Sequence, residues 1–245
     1  MQTDLFGLKI ARSTLVETAD ELEKLLASGG FHQVVTLNPE ILCRAVQETA
    51  LADLIQKAAW VTADGVGIVW ACKVKGEPVP ERVTGIDLML ELLSRAAQKD
   101  WKVFFLGSAP GVAGEAAKRA ELQYPGLKMV GTEHGYFKPE EEAALVQRIK
   151  AAQPDLLFVA LGAPRQEFWI QQYQELLQIP LAMGVGGSLD VLSGRISRIP
   201  RWMQKLNLEW LGRIVRQPSR LKRNLVLVKF VWLVWKKYKL NRDSV

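Results

Sequence analysis

Apolar runs alternate with amphipathic segments along the first 194 residues of the chain. The runs 33–37, 60–62, 103–107, 127–131, 156–161 and 181–185 have the composition of buried strands. Between them, apolar residues recur every three or four positions, which predicts helices. Buried strands that alternate with helices are typical of a mainly parallel sheet covered on both faces. The pattern therefore predicts an α/β fold with a single sheet of this kind.

Local signals place several helix boundaries. Thr14 and Glu17 have the spacing of a capping box ahead of a helical pattern, and Gly29 follows the end of that pattern. Pro39 suits the first turn of a second helix, directly after a predicted strand. The apolar run 5–10 predicts a strand or a hairpin before the first helix.

The pattern changes near residue 194, which predicts a body (1–194) and a C-terminal helical appendage (195–245). Apolar side chains fall four residues apart on the first predicted helix of this appendage: Trp202, Leu206, Trp210 and Ile214. Pro218 is expected to kink or break that helix. A later apolar run, 225–235, is interrupted by Lys229 and falls short of the about 20 apolar residues that cross a bilayer.

Charge divides the chain at the same place. The net charge is +6, but the appendage carries 14 Lys and Arg against two acidic residues, whereas the body carries 18 basic and 24 acidic residues. A basic segment on a mildly acidic body indicates an anionic partner surface. Tryptophan beside clustered lysine and arginine favours a helix in the interface of an anionic membrane. The alternative is a helical pair packed on the body. Nucleic acid is disfavoured because no binding motif for it is present.

The composition is that of an ordinary globular protein, with 49% hydrophobic and 24% charged residues. The two cysteines, Cys43 and Cys72, lie in apolar surroundings, as expected for buried thiols in a reducing compartment. The N-terminus shows no basic region followed by an apolar run, so a signal peptide is not predicted and a cytoplasmic location is expected.

Polar side chains stand at two predicted strand ends. Asp64 follows the strand 60–62 and precedes a helical pattern that begins after Gly65. Ligand sites in open α/β sheets lie at such junctions. Asp64 is therefore either a functional carboxylate or the cap of the following helix. Thr36 and Asn38 stand at the corresponding junction, where the strand 33–37 ends.

Two glycine-containing junctions are candidates for phosphate binding. The first, GSAPGVAG at 107–114, resembles a turn in which backbone N–H groups and a helix N-terminus face an anion, with a merely tight turn as the alternative. The second, GVGGS at 184–188, leads to Asp190, which could contact a base or a ribose. Neither is a dinucleotide fingerprint or a Walker motif. Together they favour a nucleotide diphosphate.

Missing motifs narrow the chemistry further. The chain has no Asp-x-Asp pair, with which metal-dependent nucleotide-sugar transferases commonly bind their ion, so no metal or other cofactor is expected. Arginine would then neutralise a diphosphate leaving group. The candidates, each with a solvated surface charge as its alternative, are Arg82, Arg165, Arg195, Arg213, Arg220 and Arg223. No nucleophile elbow appears, and His32 and His134 lack metal-ligand spacing.

Eight segments together resemble the TagA-like (WecG/TagA/CpsF) N-acetylmannosaminyltransferases of bacterial cell-wall polymer synthesis, in the family's order over nearly the whole chain. They are VTLNPE (35–40), ADGVG (63–67), RVTGID (82–87), FLGS (105–108), HGYF (134–137), LGAPRQE (161–167), GVGG (184–187) and RIPRW (198–202), the last leading to EW (209–210). Each segment alone is a weak signal, but the set is specific.

The resemblance implies a metal-independent, inverting glycosyltransferase of the Rossmann-like type E fold, active in wall teichoic acid linkage-unit synthesis. The donor would be UDP-N-acetylmannosamine, and the acceptor N-acetylglucosamine on undecaprenyl diphosphate, joined through a β-1,4 linkage. Asp64 would be the general base. The remaining roles carried over are catalysis or orientation by Thr36, substrate binding by Asn38, Arg82, Gln166, Arg213, Arg220 and Arg223, and UDP binding by Gly107, Ser108, Gly184, Gly186, Asp190 and Arg195.

Two other interpretations stay open at this point. One is a related transferase that uses UDP-N-acetylmannosaminuronic acid or another UDP-hexose, whose carboxylate would demand an extra cation in the pocket. The other is a non-catalytic nucleotide- or nucleic-acid-binding protein that uses the basic appendage for anchoring. The appendage would, under the resemblance, dock on the inner face of the cell membrane and complete the active site. The sequence leaves the oligomeric state open, a homo-oligomer included.

Overall fold

The computed structural model describes residues 1–199, 203 and 221–238. Its strands are β1 (Gln2–Leu5), β2 (Leu8–Ala11), β3 (His32–Leu37), β4 (Trp60–Ala63), β5 (Lys102–Gly107), β6 (Lys128–Glu133), β7 (Leu156–Ala160) and β8 (Leu181–Gly184). Six of them form a central sheet in the order β4-β3-β8-β7-β5-β6, in which every neighbouring pair is parallel. A separate antiparallel hairpin, β1 and β2, precedes the sheet in the chain. The predicted α/β fold with a parallel sheet is confirmed.

Helices connect the strands and cover both faces of the sheet. In the described residues they are α1 (Leu15–Ser28), α2 (Pro39–Ala45), α3 (Thr49–Lys57), α4 (Val66–Lys75), α5 (Gly85–Lys99), α6 (Val112–Gln123), α7 (Pro139–Ala152), α8 (Arg165–Leu177), α9 (Ser188–Leu192) and α10 (Leu221–Tyr238). Strand residues alternate between the two faces, as β5 illustrates: Phe105 packs with α1, α5 and α6, whereas Phe104 packs with α7 and α8.

The local boundary signals act as the sequence predicts. Thr14 and Glu17 form a capping box at the start of α1, and Gly29 is its C-cap. Asn38 caps α2 by accepting a hydrogen bond from the Ile41 N–H at 3.0 Å, with Pro39 in the first turn. These caps fix the points at which β3 passes into α2.

Helices α3 and α9 and strand β6 differ from the sequence prediction; α9 was not predicted because it is only five residues long. Helix α3 was not predicted, although Leu51, Leu54 and Ile55 follow a helical spacing and are buried. It begins four residues after the end of α2, and the sequence pattern shows no clear boundary between the two helices. Strand β6 begins and ends later than the predicted 127–131, because its half-exposed edge position gives it a weaker apolar signal.

The C-terminal helix α10 packs against α2 and α4. Phe230 and Val234 are fully buried there, in the same core as the hairpin and β4. A Cβ atom at Gly67 would lie 2.6 Å from Pro39 Cγ and 3.3 Å from Phe230 Cε1, so the glycine makes room for the ring. At the end of α10, the Tyr238 hydroxyl accepts a hydrogen bond from the Phe6 N–H at 2.9 Å. For this helix, the packed arrangement that the sequence left as an alternative is the observed one.

The same helix also carries an apolar stripe that faces away from the body. Val228, Val231, Trp232 and Trp235 are exposed on it. The predicted stripe of Trp202, Leu206, Trp210 and Ile214, and the predicted break at Pro218, lie outside the described residues. Within 1–199 and 221–238, none of the helices combines the length and apolar character that crossing a membrane requires.

Candidate functional site

A cleft of about 220 Å³ lies where four neighbouring strands, β4, β3, β8 and β7, end. Its walls include five of the residues singled out in the sequence: Thr36, Asn38, Asp64, Gln166 and Gly186. The carboxyl ends of parallel strands meet at one edge of a sheet, where the adjoining loops form a ligand crevice. The fold therefore brings together residues that are up to 150 positions apart in the chain.

Asp64 sits at the end of β4 with its backbone tied to the neighbouring strand. Its N–H donates to the Leu37 carbonyl at 2.9 Å. Its Oδ2 accepts a hydrogen bond from the Gly85 N–H at 3.1 Å, in the first turn of α5. The helix that follows Asp64 is capped by Gly65 without a side-chain bond. Asp64 therefore does not cap the helix that follows it, and its carboxylate instead accepts a hydrogen bond from the first turn of α5 at the cleft.

Thr36 and Asn38 border Asp64 on β3 and its following turn. Thr36 Oγ1 donates to the Gly184 carbonyl at 3.4 Å, which ties β3 to β8 at the cleft. A Cβ atom at Gly85 would lie 3.4 Å from Thr36 Oγ1 and 3.6 Å from Asp64 Oδ2. A hydroxyl and a carboxylate thus converge on the same small space in front of α5. Asn38 uses its side-chain oxygen to cap α2, so its position is fixed by the helix.

Gln166 and Glu167 form a buried polar pair at the start of α8. Gln166 Oε1 accepts from the Gly186 N–H at 3.1 Å, and Gln166 Nε2 donates to Glu167 Oε1 at 2.8 Å. Glu167 is 1% exposed, and burial raises the pKa of its carboxyl above the ordinary value. Gln166 was a predicted site residue, whereas the sequence analysis missed Glu167, because only the fold shows that it is buried.

Arg198 brings a cation to the cleft. It lines the wall beside Ile199, and its guanidinium donates to the carboxylate of Asp87 on α5. Asp87 is in turn bonded to the Thr84 hydroxyl at 2.5 Å. The sequence analysis placed Arg198 in a family segment but did not assign it to the site. Its pairing with a carboxylate 111 positions away is visible only in the fold.

The other predicted nucleotide residues lie beside this cleft. Ser108, at the end of β5, donates from Oγ to Asp190 Oδ2 at 3.0 Å. Arg195 forms two hydrogen bonds of 2.8 Å with Glu115 on α6. Helix α9 joins the two regions, because its Ser188 and Val191 line the cleft while Asp190 contacts Ser108. The structure thus places Gly107, Ser108, Asp190 and Arg195 next to the cleft rather than on its walls.

The remaining arginine candidates are placed as follows. Arg82 precedes the cleft residue Thr84 but is not on the wall itself. Arg165 stacks on the Phe137 ring, with its guanidinium carbon 5.0 Å from the ring centroid. Arg213 and Arg220 lie outside the described residues, and of Arg223 only the helical backbone is described.

Among residues 1–199, 203 and 221–238, no group of three or more His, Cys, Asp or Glu side chains is arranged to ligate a metal ion.

Comparison with known proteins gives a match over nearly the whole chain. The model of the family described as "Glycosyl transferase WecG/TagA/CpsF family" matches residues 3–244. A Bacillus spizizenii protein named N-acetylglucosaminyldiphosphoundecaprenol N-acetyl-beta-D-mannosaminyltransferase is 39% identical over 83% of this chain and 78% of its own length. A Bacillus subtilis protein of the same name is 33% identical over 98% of this chain and 93% of its own length.

Proposed function

The chain belongs to the WecG/TagA/CpsF glycosyltransferase family, and we propose that it transfers N-acetylmannosamine from UDP-N-acetylmannosamine to N-acetylglucosamine on undecaprenyl diphosphate. The product is the β-1,4-linked disaccharide lipid that begins wall teichoic acid linkage units. The observation that carries the proposal is the Asp64 carboxylate in a strand-end cleft, in a chain whose relatives are named for this reaction.

The proposed reaction is a single displacement with inversion at the anomeric carbon. Asp64 takes the proton from the acceptor hydroxyl as its oxygen attacks that carbon. The new C–O bond forms while the bond from the anomeric carbon to the β-phosphate oxygen breaks, and UDP leaves with the electron pair. The Asp64 carboxylate is held in a fixed orientation for this task, because its Oδ2 accepts a hydrogen bond from the Gly85 N–H.

Polar groups around Asp64 have roles in binding both substrates. Thr36, Asn38 and Gln166 face the same cleft and orient the reacting sugars. The neighbouring group of Ser108 and Asp190 binds the nucleotide, together with Gly107, Gly184, Gly186 and Arg195. Arg82 contributes to substrate binding at the rim of the cleft, on the acceptor side.

Charge on the departing diphosphate is neutralised by arginine in this proposal, without a metal ion. Arg198 already stands on the cleft wall, where Asp87 orients its guanidinium. Arg213, Arg220 and Arg223 of the appendage supply further positive charge from the basic C-terminal segment. The appendage (195–245) thereby completes a site whose base belongs to the body (1–194).

The exposed stripe of α10 is the proposed contact with an anionic membrane. Val228 is 70% exposed and Trp232 is 55% exposed, and lysines stand beside them at 229 and 236. Apolar and aromatic side chains enter the interface while lysines meet anionic headgroups. The opposite face of the helix packs on α2 and α4, so membrane contact would bring the lipid-linked acceptor close to the cleft.

UDP release tests the catalytic proposal directly. With UDP-N-acetylmannosamine and a lipid-linked N-acetylglucosamine, we expect steady UDP release that is unchanged by EDTA and disaccharide formation of the β configuration. Omission of the acceptor is the control for donor hydrolysis. Absence of release would refute the proposal, and faster release from UDP-N-acetylmannosaminuronic acid would shift the donor assignment to that sugar. Loss of activity with EDTA would refute metal independence alone.

Membrane contact is tested by vesicle sedimentation. Replacing Trp232 and Trp235 with alanine is expected to weaken binding to phosphatidylglycerol-rich vesicles by roughly tenfold or more, since each buried tryptophan contributes apolar area at the interface. Leu122→Ala, which removes a side chain 82% exposed on α6, is the matched control and should bind like the wild type. Equal binding by all three proteins would show that this face does not meet the membrane.

A further inference from the structure

The buried carboxyl of Glu167 lies behind the cleft wall and has no part in the proposed displacement. It is 1% exposed, and Gln166, its only side-chain partner among the described residues, is 3% exposed. The Glu167 backbone is fixed separately, because Gln33 Nε2 donates to its carbonyl at 3.1 Å. The carboxyl and the main chain of this residue therefore have distinct partners.

The contacts of Gln166 determine which way its amide points. The Gly186 N–H can only donate, so the atom that faces it at 3.1 Å must be the amide oxygen. The amide nitrogen then faces Glu167 Oε1 at 2.8 Å and needs an acceptor there. An acceptor at position 167 thus favours the orientation in which the amide nitrogen of Gln166 faces Glu167. In that orientation the amide oxygen faces the Gly186 N–H and accepts its hydrogen bond.

The chain leaves room for this pair by having glycine at position 184. A Cβ atom there would lie 2.5 Å from Gln166 Nε2 and 2.9 Å from Glu167 Oε1, which is closer than real Cβ contacts. Gly186, two residues later, has φ of +51°, a left-handed conformation in which its N–H turns toward Gln166. The end of β8 is therefore shaped around the amide.

We propose that Glu167 is a positioning residue for the transferase site: its carboxyl orients the Gln166 amide, which fixes the Gly186 N–H and with it the 184–188 segment of the cleft wall. The inference rests on the proposed function for its kinetic consequence only. The segment that Gln166 holds includes Val185, Gly186, Gly187 and Ser188, all of which line the cleft.

Two substitutions of similar size separate positioning from packing. Glu167→Gln keeps an acceptor opposite Gln166, whereas Glu167→Met fills the same apolar space without one. Amide hydrogen exchange in the ligand-free protein should show the 185–188 segment exchanging at least tenfold faster in the methionine variant. The glutamine variant should exchange like the wild type. The β6 segment 128–133 is the internal control, because it lies at the far edge of the sheet.

Steady-state kinetics give the functional arm of the test. We expect Glu167→Met to lower kcat by roughly tenfold or more with a smaller change in donor KM, because displacement of the 184–188 segment would misalign the reacting groups. Glu167→Gln should stay within about threefold of the wild type. Combining Glu167→Met with Gln166→Met should cost no more than Gln166→Met alone, because both act through one contact.

The outcomes distinguish this inference from the proposed function. Inactivity of the wild-type protein refutes the proposed reaction, while hydrogen exchange still decides the positioning role without any substrate. Unchanged exchange at 185–188 in the folded methionine variant overturns the inference. Equal losses in the methionine and glutamine variants, accompanied by a matching fall in thermal unfolding temperature, also overturn it, because they would indicate packing alone.

Discussion

Replacing Asp64 with asparagine is expected to lower kcat by about 10²- to 10⁴-fold, the usual contribution of a general base. The amide oxygen of asparagine can still accept the Gly85 N–H, so the turn before α5 keeps its structure. What disappears is the ability to take a proton from the acceptor hydroxyl. The measurement is UDP release under saturating donor and acceptor, with UDP affinity measured separately by calorimetry.

Asp53→Asn is the matched control, because Asp53 is an exposed aspartate on α3, away from the cleft. It should turn over at the wild-type rate. UDP affinity in the Asp64 variant should change little, since the role proposed for the carboxylate is on the acceptor. An Asp64→Asn protein that keeps a third or more of wild-type kcat would exclude Asp64 as the base and leave the family assignment intact.

Replacing Phe230 with alanine is expected to destabilise the protein by about 3–5 kcal/mol, as removal of a fully buried aromatic side chain does. Phe230 is 1% exposed, its ring centroid lies 6.3 Å from that of Trp70, and it fills the space left by Gly67. The cavity cannot collapse easily, because Pro39 is rigid on the other side of the same contact. Urea unfolding followed by tryptophan fluorescence measures the change.

Trp232→Ala on the same helix is the control for this second prediction. Its side chain is 55% exposed, so its loss should change the free energy of unfolding by no more than about 0.5 kcal/mol. Equal stability of the Phe230 and Trp232 variants would mean that α10 does not stay packed on α2 and α4 in solution. The pair thus separates the inward face of α10 from the outward one.

Most of the fold follows from the sequence because its parallel sheet is buried on both faces. Strand β7 is wholly apolar and β5 is apolar from Val103 onward, which is unusual outside a covered sheet. Helices such as α1 and α2 carry their own caps. Helix α3 was not predicted because the short connection to α2 contains no glycine or proline that would mark a boundary between the two helices. Strand order could not be predicted, since it depends on which helix covers which face.

The residues of the candidate site could be predicted where polar side chains lie at the end of an apolar strand. Thr36, Asn38 and Asp64 each directly follow or end an apolar run, so their convergence follows from the parallel sheet itself. Arg198 and Glu167 could not be assigned in this way. The role of Arg198 depends on Asp87, a partner from a distant element, and that of Glu167 depends on a burial that no local pattern reports.

Helix α10 packs on the body with one face and exposes the other, so in the proposed orientation it also sets the distance between the body and the membrane. In that orientation this one helix lies between the bilayer surface and helices α2 and α4, and its Phe230 ring lies beside Gly67, three residues from the cleft residue Asp64. A helix with its side chains is about 10 Å across. The carboxylate of Asp64, the proposed base, would then stand roughly one helix diameter above the headgroups. The acceptor sugar and its diphosphate would have to span that gap if the polyprenyl tail is to stay in the hydrocarbon layer during the reaction.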